Sequence, residues 1–219
     1  MEHLSGGEIV IRALKDAGVK HVWGYPGGAA LHIYDALYRQ EDVHHLLVRH
    51  EQAAVHAADG FSRSTGEVGT ALVTSGPGAT NLVTGIADAQ IDSTPVVCIT
   101  GQVPSHLLGS DAFQETDIFG ITLPIVKHSY KITNPKDICK IISEACYIAQ
   151  NGRPGPVIID IPKDIGSQEI IKYRPVQQKE IVKLQGYRFQ YKINRQTIID
   201  ALSLIRKAER PILYVGGGA

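Results

Sequence analysis

The sequence predicts an α/β fold, a doubly wound parallel sheet with helices on both faces. Two observations predict it. Apolar residues switch repeatedly between helical and strand-like spacing over residues 1–165, as expected when β and α elements alternate. The segment GPVIIDIP at 155–162 is nearly continuously apolar, which is typical of a parallel strand covered on both faces.

Each predicted element has a local reason. Residues 6–18 carry Ile9, Ala13, Leu14 and Ala17 at helical spacing and end at Gly18, a residue suited to a helix C-terminus. The same patterns predict further helices at 29–39, 51–64, 78–90 and 134–152. Short apolar runs between them predict strands at 19–24, 44–48, 68–74, 94–100, 125–133 and 155–162.

A first domain is therefore predicted to close near residue 165. Residues 166–190 are polar without a sustained period, and we interpret them as an extended linker. Residues 194–210 are amphipathic and predict a helix, followed by a strand in RPILYVGGGA at 210–219. These last segments predict the beginning of a second α/β domain over 191–219, and we expect the chain to be a fragment of a longer protein.

Composition excludes several function classes. The 219 residues carry 22 basic and 22 acidic side chains with no strong charge block, so neither nucleic acid nor a membrane is predicted as a partner. The N-terminus lacks a secretory signal, which predicts a cytoplasmic location. Cys98, Cys139 and Cys146 are odd in number and lack paired zinc spacing, so we expect them to pack as small hydrophobic residues.

The unusual motifs all follow predicted strands. Because ligands of doubly wound sheets bind beyond the carboxyl ends of the strands, these loops are the candidate site. They are GYPGGA at 24–29, Glu51, TSGPGATN at 74–81, the segment from TGQVPS to DAFQE at 100–115, and IPKD at 161–164. Each also has a purely structural interpretation: tight turns for the glycines, an ordinary loop amide for Gln114, a charged strand exit for Lys163, and a helix-dipole acid for Glu51.

Other chemistries are disfavoured by spacing. GPGATN could present helix N–H groups to an anion, but it lacks the third glycine and the later acidic residue of a dinucleotide site. His50 and His56 are six residues apart and cannot share a helix face, so no metal site is predicted. Ser75 does not lie in a GxSxG elbow, which argues against a serine hydrolase.

Taken in order, the motifs strongly resemble one family. The chain resembles the catalytic subunit of acetolactate synthase, a thiamine-diphosphate-dependent enzyme. The motifs that carry the resemblance are GYPGGA, RHEQ before an alanine-rich helix, TSGPGATN, PVVCITGQVPS, DAFQETD, GRPGPVIIDIPKD and LYVGGG. The resemblance covers essentially the whole chain. It implies a pyrimidine-binding domain plus the opening of a central FAD-binding-type domain, with the magnesium and diphosphate site in a third domain outside the chain.

The resemblance also implies residue roles. Glu51 matches the glutamate that hydrogen-bonds N1′ of the cofactor's aminopyrimidine and promotes its imino tautomer, a task that suits a water-poor site. The alanine-rich face that follows Glu51 fits such a site. The other matched positions are Gly27 and Gly28 near the cofactor, Gln114 and Lys163 as catalytic residues toward the keto acid, Val103, Pro104 and Phe113 in the substrate channel, and Arg153, Gly216, Gly217 and Gly218 at FAD.

The implied activity is decarboxylation of pyruvate and condensation of the two-carbon unit with pyruvate or 2-ketobutyrate, in branched-chain amino-acid synthesis. The implied cofactors are thiamine diphosphate, Mg²⁺ and a structural FAD. The implied partners are a second copy, as a homodimer or higher oligomer that shares the active site, and a small regulatory subunit. Two alternatives stay open: a sister enzyme such as pyruvate oxidase, and a non-catalytic pairing module, since we expect the 219 residues alone to be inactive.

Overall fold

The computed structural model describes residues 3–167, 171–181, 184 and 194–216. Its strands are β1 His3–Leu4, β2 His21–Tyr25, β3 His44–Leu47, β4 Gly69–Val73, β5 Val96–Gln102, β6 His128–Lys131, β7 Val157–Pro162 and β8 Ile171–Lys172. Its α-helices are α1 Gly6–Asp16, α2 Leu31–Tyr38, α3 Glu51–Thr65, α4 Pro77–Thr80, α5 Val83–Ile91, α6 Ile118–Thr122, α7 Ile138–Gln150, α8 Lys163–Ser167, α9 Gln178–Ile181 and α10 Arg195–Lys207. Short 3₁₀ turns lie at Ser105–Leu107, Leu123–Ile125 and Pro135–Asp137.

Six strands form one parallel sheet in the order β3-β2-β4-β5-β7-β6. Successive side chains of a strand point to opposite faces, so the sheet divides the core in two. Leu72 and Ile99 pack on one face with α1, α2 and α7, whereas Ala71 and Cys98 pack on the other with α3 and α5. The predicted doubly wound parallel sheet is confirmed.

The local signals for the helices are visible in the structure. Ser5 caps α1 by accepting the backbone N–H of Glu8, and the Glu8 carboxylate accepts the N–H of Ser5 in return, a capping box. Helix α3 ends at Gly66, which adopts the left-handed conformation that closes many helices. The three cysteines are free and buried, as predicted.

One predicted helix is interrupted. Instead of a single helix over 78–90, the chain forms the short α4 and then α5, separated by Asn81 and Leu82. The Leu82 side chain is fully buried at this break. The interruption follows from tertiary packing, which overrides the nearly continuous helical pattern of the sequence.

The chain divides into two compact units, residues 1–187 and residues 188–219. In the first unit β8 pairs antiparallel with β1, and the Tyr173 hydroxyl donates to Asp16 Oδ2 at 2.5 Å. Residues 171–176, within the predicted linker, therefore pack against the sheet domain through the buried Tyr173 ring. The predicted boundaries near 165 and 190 stay a prediction.

In the second unit the predicted amphipathic helix is confirmed as α10. The strand predicted over 210–219 is wrong for residues 210–216, which form no regular secondary structure; residues 217–219 lie outside the described part of the chain. The side chains from Ile212 to Val215 are exposed. A strand needs a neighbouring strand to pair its backbone groups, and the two sheets of the described residues include no strand from this segment.

The end of β5 is fixed by a buried carboxyl group. Asp160 on β7 is 1% exposed and accepts hydrogen bonds from Thr100 Oγ1 at 2.8 Å and Gln102 Nε2 at 3.1 Å. Gln102 also donates to the carbonyl of Thr116, so this network ties the strand ends to the loop that follows β5. Burial raises the pKa of Asp160 to about 6, against the opposing effect of its two donors.

This raised pKa predicts a pH-dependent contribution to stability. The folded state holds the Asp160 proton more tightly than the unfolded chain does. The contribution of this proton to the free energy of unfolding is therefore complete below the unfolded pKa of 3.8 and is lost as pH rises through about 6. Relative to Asp160→Asn, the wild-type free energy of unfolding should fall by about 2 kcal/mol between pH 4.5 and 7. Urea unfolding across this range measures it.

Thr100→Ser is the matched control, because it keeps the hydroxyl donor and the carboxyl group and should retain the same pH dependence. A wild-type and Asp160→Asn difference that stays constant with pH would contradict the assignment.

Candidate active site

The carboxyl ends of the parallel strands meet at one edge of the sheet, and the predicted loops lie there. Gly27 and Gly28 follow β2, Glu51 follows β3, and residues 74–81 follow β4. Val103 and Pro104 follow β5, and Lys163 follows β7. The edge predicted from the sequence is therefore the edge at which these residues are found.

Glu51 is the first residue of α3 and is 9% exposed. His50 caps the helix, because its Nδ1 accepts the backbone N–H of Gln52 at 3.1 Å. The Glu51 Oε2 atom accepts a hydrogen bond from Asn81 Nδ2 at 2.8 Å. Asn81 belongs to the motif TSGPGATN, but sequence reasoning gave this residue no role. The only sequence signal was a polar amide at the end of a glycine-rich turn.

The phenol of Tyr34 lies within electrostatic range of this carboxylate. Its hydroxyl donates to the carbonyl of Leu72 at 2.5 Å, and a Cβ atom on Gly24 would lie only 2.3 Å from the hydroxyl oxygen. Burial raises the pKa of Tyr34 well above its ordinary value, and the negative charge of Glu51 raises it further. Tyr34 therefore stays a neutral hydrogen-bond donor beneath the site.

Thr74 joins the loops after β2 and β4. Its Oγ1 accepts the backbone N–H of Ala29 at 3.2 Å, and a Cβ on Gly27 would lie 2.5 Å from Thr74 Cβ. Gly27 is therefore required by the fold at this contact. Gly28 differs, because a Cβ there would meet nothing within 4 Å. The absence of a side chain at Gly28 leaves open space at the edge of the sheet.

The loop carrying Phe113 and Gln114 reaches the same edge. Gly76 has φ +56°, and a Cβ on it would lie 2.6 Å from the carbonyl oxygen of Gln114. Gln114 itself has φ +61°, and the Phe113 side chain is 88% exposed. Glu115 holds the loop together by accepting the N–H groups of Gly109 and Ala112. These backbone donors lower the pKa of the Glu115 carboxyl.

A second group of contacts surrounds Lys163. Asp164 Oδ1 accepts from Ser105 N at 2.8 Å and from Ser105 Oγ at 3.0 Å. This pair connects the turn that carries Lys163 to the segment of Val103 and Pro104. Val103 is buried, and its N–H donates to Gln102 Oε1 at 2.9 Å. The Lys163 turn and the segment of Val103 and Pro104 are thus joined by side-chain hydrogen bonds.

Arg153 lies at the opposite, amino edge of the sheet, because it precedes β7. Its guanidinium donates to Ser93 Oγ at 2.8 Å and to the carbonyls of Gln90 and Ile91 at 3.1 Å, where it caps the C-terminus of α5. The structure therefore does not bring Arg153 together with Glu51. Gly216, in the second unit, is exposed, and Gly217 and Gly218 lie outside the described residues.

The surroundings of Glu51 suit the recognition of a heterocyclic ring nitrogen. Among the described residues only Asn81 donates to the Glu51 carboxylate, which leaves Oε1 available to a ligand. A mostly buried carboxylate with one free oxygen can hold or exchange a proton with a heterocyclic nitrogen. Within the same described ranges, no group of three or more His, Cys, Asp or Glu side chains is arranged to hold a metal ion.

Comparison with known proteins agrees with this geometry. The family model described as "Thiamine pyrophosphate enzyme, N-terminal TPP binding domain" matches residues 4–121. Acetolactate synthase of Arthrospira platensis is 55% identical over 222 aligned residues, which cover 100% of this chain and 38% of that protein. The acetolactate synthase large subunit of Haemophilus influenzae is 53% identical, and the isozyme 3 large subunit of Escherichia coli 52%, each over 219 residues with the same coverage.

The predicted resemblance to acetolactate synthase is thus confirmed, although the chain spans only 38% of the length of these relatives. No helix among the described residues is both long and apolar enough to cross a membrane. The family match covers more than half of the chain and includes every strand from β2 to β5, together with Glu51 and Asn81. The chain therefore belongs to the thiamine pyrophosphate enzymes, as a member of their N-terminal TPP-binding domain family.

Proposed function

We propose that the natural full-length protein is an acetolactate synthase, which decarboxylates pyruvate and condenses the two-carbon unit with pyruvate or 2-ketobutyrate in branched-chain amino-acid synthesis. The observation that carries this proposal is the buried Glu51 carboxylate, with one oxygen held by Asn81 and the other free, at the ligand-binding edge of a thiamine pyrophosphate domain. The names of the relatives favour this activity over that of pyruvate oxidase.

Glu51 would hold a proton at N1′ of the cofactor's pyrimidine ring. Thiamine diphosphate, when bound, supplies a carbon acid whose conjugate base adds to a keto-acid carbonyl and accepts the charge left by loss of CO₂. The task of Glu51 is proton transfer, for which a positioned carboxyl group in a water-poor site is suited. The glycines at 27 and 28 would line the cofactor, and the open space beside Gly28 supports this assignment.

The substrate would bind beside the loops that follow β5 and β7. We propose Gln114 and Lys163 as the groups that orient the keto acid, through an amide and an ammonium ion that stabilise developing negative charge. The exposed ring of Phe113, with Val103 and Pro104, would form the channel wall. The hydrogen bonds from Ser105 to Asp164 support this grouping, because they join the Lys163 turn to the Pro104 segment.

FAD and Mg²⁺ complete the proposed cofactors. FAD would have a structural role, and its proposed contacts are Arg153, Gly216, Gly217 and Gly218. This proposal rests on the sequence resemblance. The Arg153 guanidinium already caps α5, so its proposed FAD contact would have to be made in addition to these hydrogen bonds. Mg²⁺ and the cofactor's diphosphate would be held by residues outside the 219.

The proposed assembly is a homodimer or higher homo-oligomer, in which the diphosphate half of each site comes from a second copy. The exposed, side-chain-free surface at Gly60 on α3 supports close contact with another chain. Relatives named "large subunit" support a small regulatory subunit as a further partner. The cytoplasmic location stays a prediction from the sequence.

Glu51→Gln tests the proposed function in the full-length protein. The amide has the size of the carboxylate but cannot exchange the proton, so the rate of acetolactate formation at saturating cofactor should fall by about 100-fold or more. Glu67→Gln, the same change at an exposed position, should leave the rate unchanged. Near-normal carboligation by Glu51→Gln would remove Glu51 from the mechanism.

Gly27→Ala and Gly28→Ala separate folding from cofactor binding. The methyl group at 27 would clash with Thr74 and should lower the free energy of unfolding by about 1–3 kcal/mol. The methyl group at 28 meets no protein atom, so stability should be retained while the thiamine diphosphate concentration for half-maximal activity rises several-fold. Urea unfolding and cofactor titration measure the two effects, and unchanged cofactor dependence in Gly28→Ala would show that residue 28 does not face the cofactor.

A further inference from the structure

The two oxygens of Glu51 have different surroundings. Oε2 accepts the Asn81 side-chain amide at 2.8 Å. Oε1 lies beside Gly78, where a Cβ atom would be 3.4 Å from this oxygen and 2.7 Å from Thr74 Cγ2. A side chain at position 78 would therefore crowd both Thr74 and this oxygen. One oxygen is thus held by a protein donor, while the other has a neighbour without a side chain.

A single short segment creates both environments. Helix α4 begins after the positive-φ residue Gly76, and the N–H of Gly78 donates to the carbonyl of Ser75 at 3.1 Å. The N–H of Asn81 donates to the carbonyl of Pro77 at 3.2 Å. The neighbouring Ala79 is buried in the core, so the backbone on both sides of this turn is fixed. The interruption between α4 and α5 therefore sets the position from which the Asn81 side chain reaches Glu51.

The hydrogen bond is of a strong type. Its acceptor is a carboxylate, and hydrogen bonds to ionised acceptors are roughly twice as strong as those between neutral groups. Glu51 is mostly removed from water, so loss of the donor would leave Oε2 without a protein donor in a site with limited solvent. Asn81 can therefore select one orientation of the Glu51 side chain before any ligand binds.

We propose that Asn81 is a positioning residue, which binds one oxygen of Glu51 and so directs the other, beside Gly78, toward the ring nitrogen of the cofactor. This inference rests on the proposed function of Glu51. It adds the prediction that the break after α4, which the sequence pattern does not reveal, serves the site. Asn81 touches neither cofactor nor substrate in this account and acts only through Glu51.

The first test needs neither cofactor nor turnover. In ¹H–¹⁵N spectra of the labelled protein, the Asn81 side-chain amide should give a downfield proton signal that reports its bond to a carboxylate. Glu51→Gln should move that signal upfield, because the acceptor loses its charge. The side-chain amide of Asn134 is the internal control and should not move, since its oxygen, rather than its amide, caps a distant turn. An Asn81 amide signal unaffected by Glu51→Gln would overturn the proposal.

The second test uses the full-length protein. Asn81→Leu removes the donor at similar size and should lower the rate of acetolactate formation at least tenfold. Asn81→Asp is isosteric but removes the amide donor and places a second carboxyl group, with a like charge, next to Glu51. The pH–rate profile should therefore move to higher pH. Asn134→Asp, the same charge change at an exposed capping position, should leave rate and profile unchanged.

The outcomes distinguish this inference from the proposed function. If Glu51→Gln abolishes activity while folded Asn81→Leu and Asn81→Asp keep the wild-type rate and pH profile, Asn81 has no positioning role and the function of Glu51 stands. If Glu51→Gln is itself active, the proposed function fails and this inference fails with it. Circular dichroism and urea unfolding of each variant identify any rate loss that comes from unfolding.

Discussion

The parallel direction of the six central strands is the constraint on which the rest of the structure depends. Because every strand runs the same way, the exits of β2, β3, β4, β5 and β7 share one edge. Segments far apart in sequence, such as Glu51 and Asn81, then come within hydrogen-bond distance without any special connection. The same geometry sends Arg153, which precedes its strand, to the opposite edge.

The second constraint at this edge of the sheet is that backbone segments must approach one another closely. The backbone at the strand exits packs so tightly that a Cβ on Gly27 would clash with Thr74, one on Gly76 with the Gln114 carbonyl, and one on Gly101, at the end of β5, with Ala29. A side chain at any of these positions would push the neighbouring segments apart. Glycine there is a packing requirement of the protein itself, and Gly78 belongs to the same group, because a Cβ on it would lie 2.7 Å from Thr74 Cγ2. Gly28 differs, because a Cβ on it would meet no protein atom within 4 Å.

Much of the first unit could be predicted from the sequence, because each element there has a strong local signal and a buried partner. The continuous apolar run of β7 and the capped pattern of α1 are examples. The strand predicted after Arg210 failed because an apolar pattern alone cannot supply the neighbouring strand that its backbone needs. The break between α4 and α5 was missed because it is set by tertiary packing around Leu82, which leaves no periodic signal.

The candidate site was predictable in its location but only in part in its chemistry. The position of Glu51 after β3 and the glycine-rich turn after β4 predicted the edge at which the structure places both. The pairing of Asn81 with Glu51 could not be seen, since a separation of 30 positions along the sequence gives no indication of side-chain distance. The Asp164 contact with Ser105 was hidden for the same reason. Long-range hydrogen bonds depend on the folded register, which a single sequence does not display.

We propose that Glu51 meets the pyrimidine of thiamine diphosphate with its free oxygen. A crystal structure of the full-length protein with thiamine diphosphate and Mg²⁺ measures this directly. We expect a separation of about 2.6–3.0 Å between Glu51 Oε1 and the ring nitrogen N1′, with Asn81 still bound to Oε2. A pyrimidine bound away from this edge, or a Glu51 side chain turned to solvent in the complex, would contradict it.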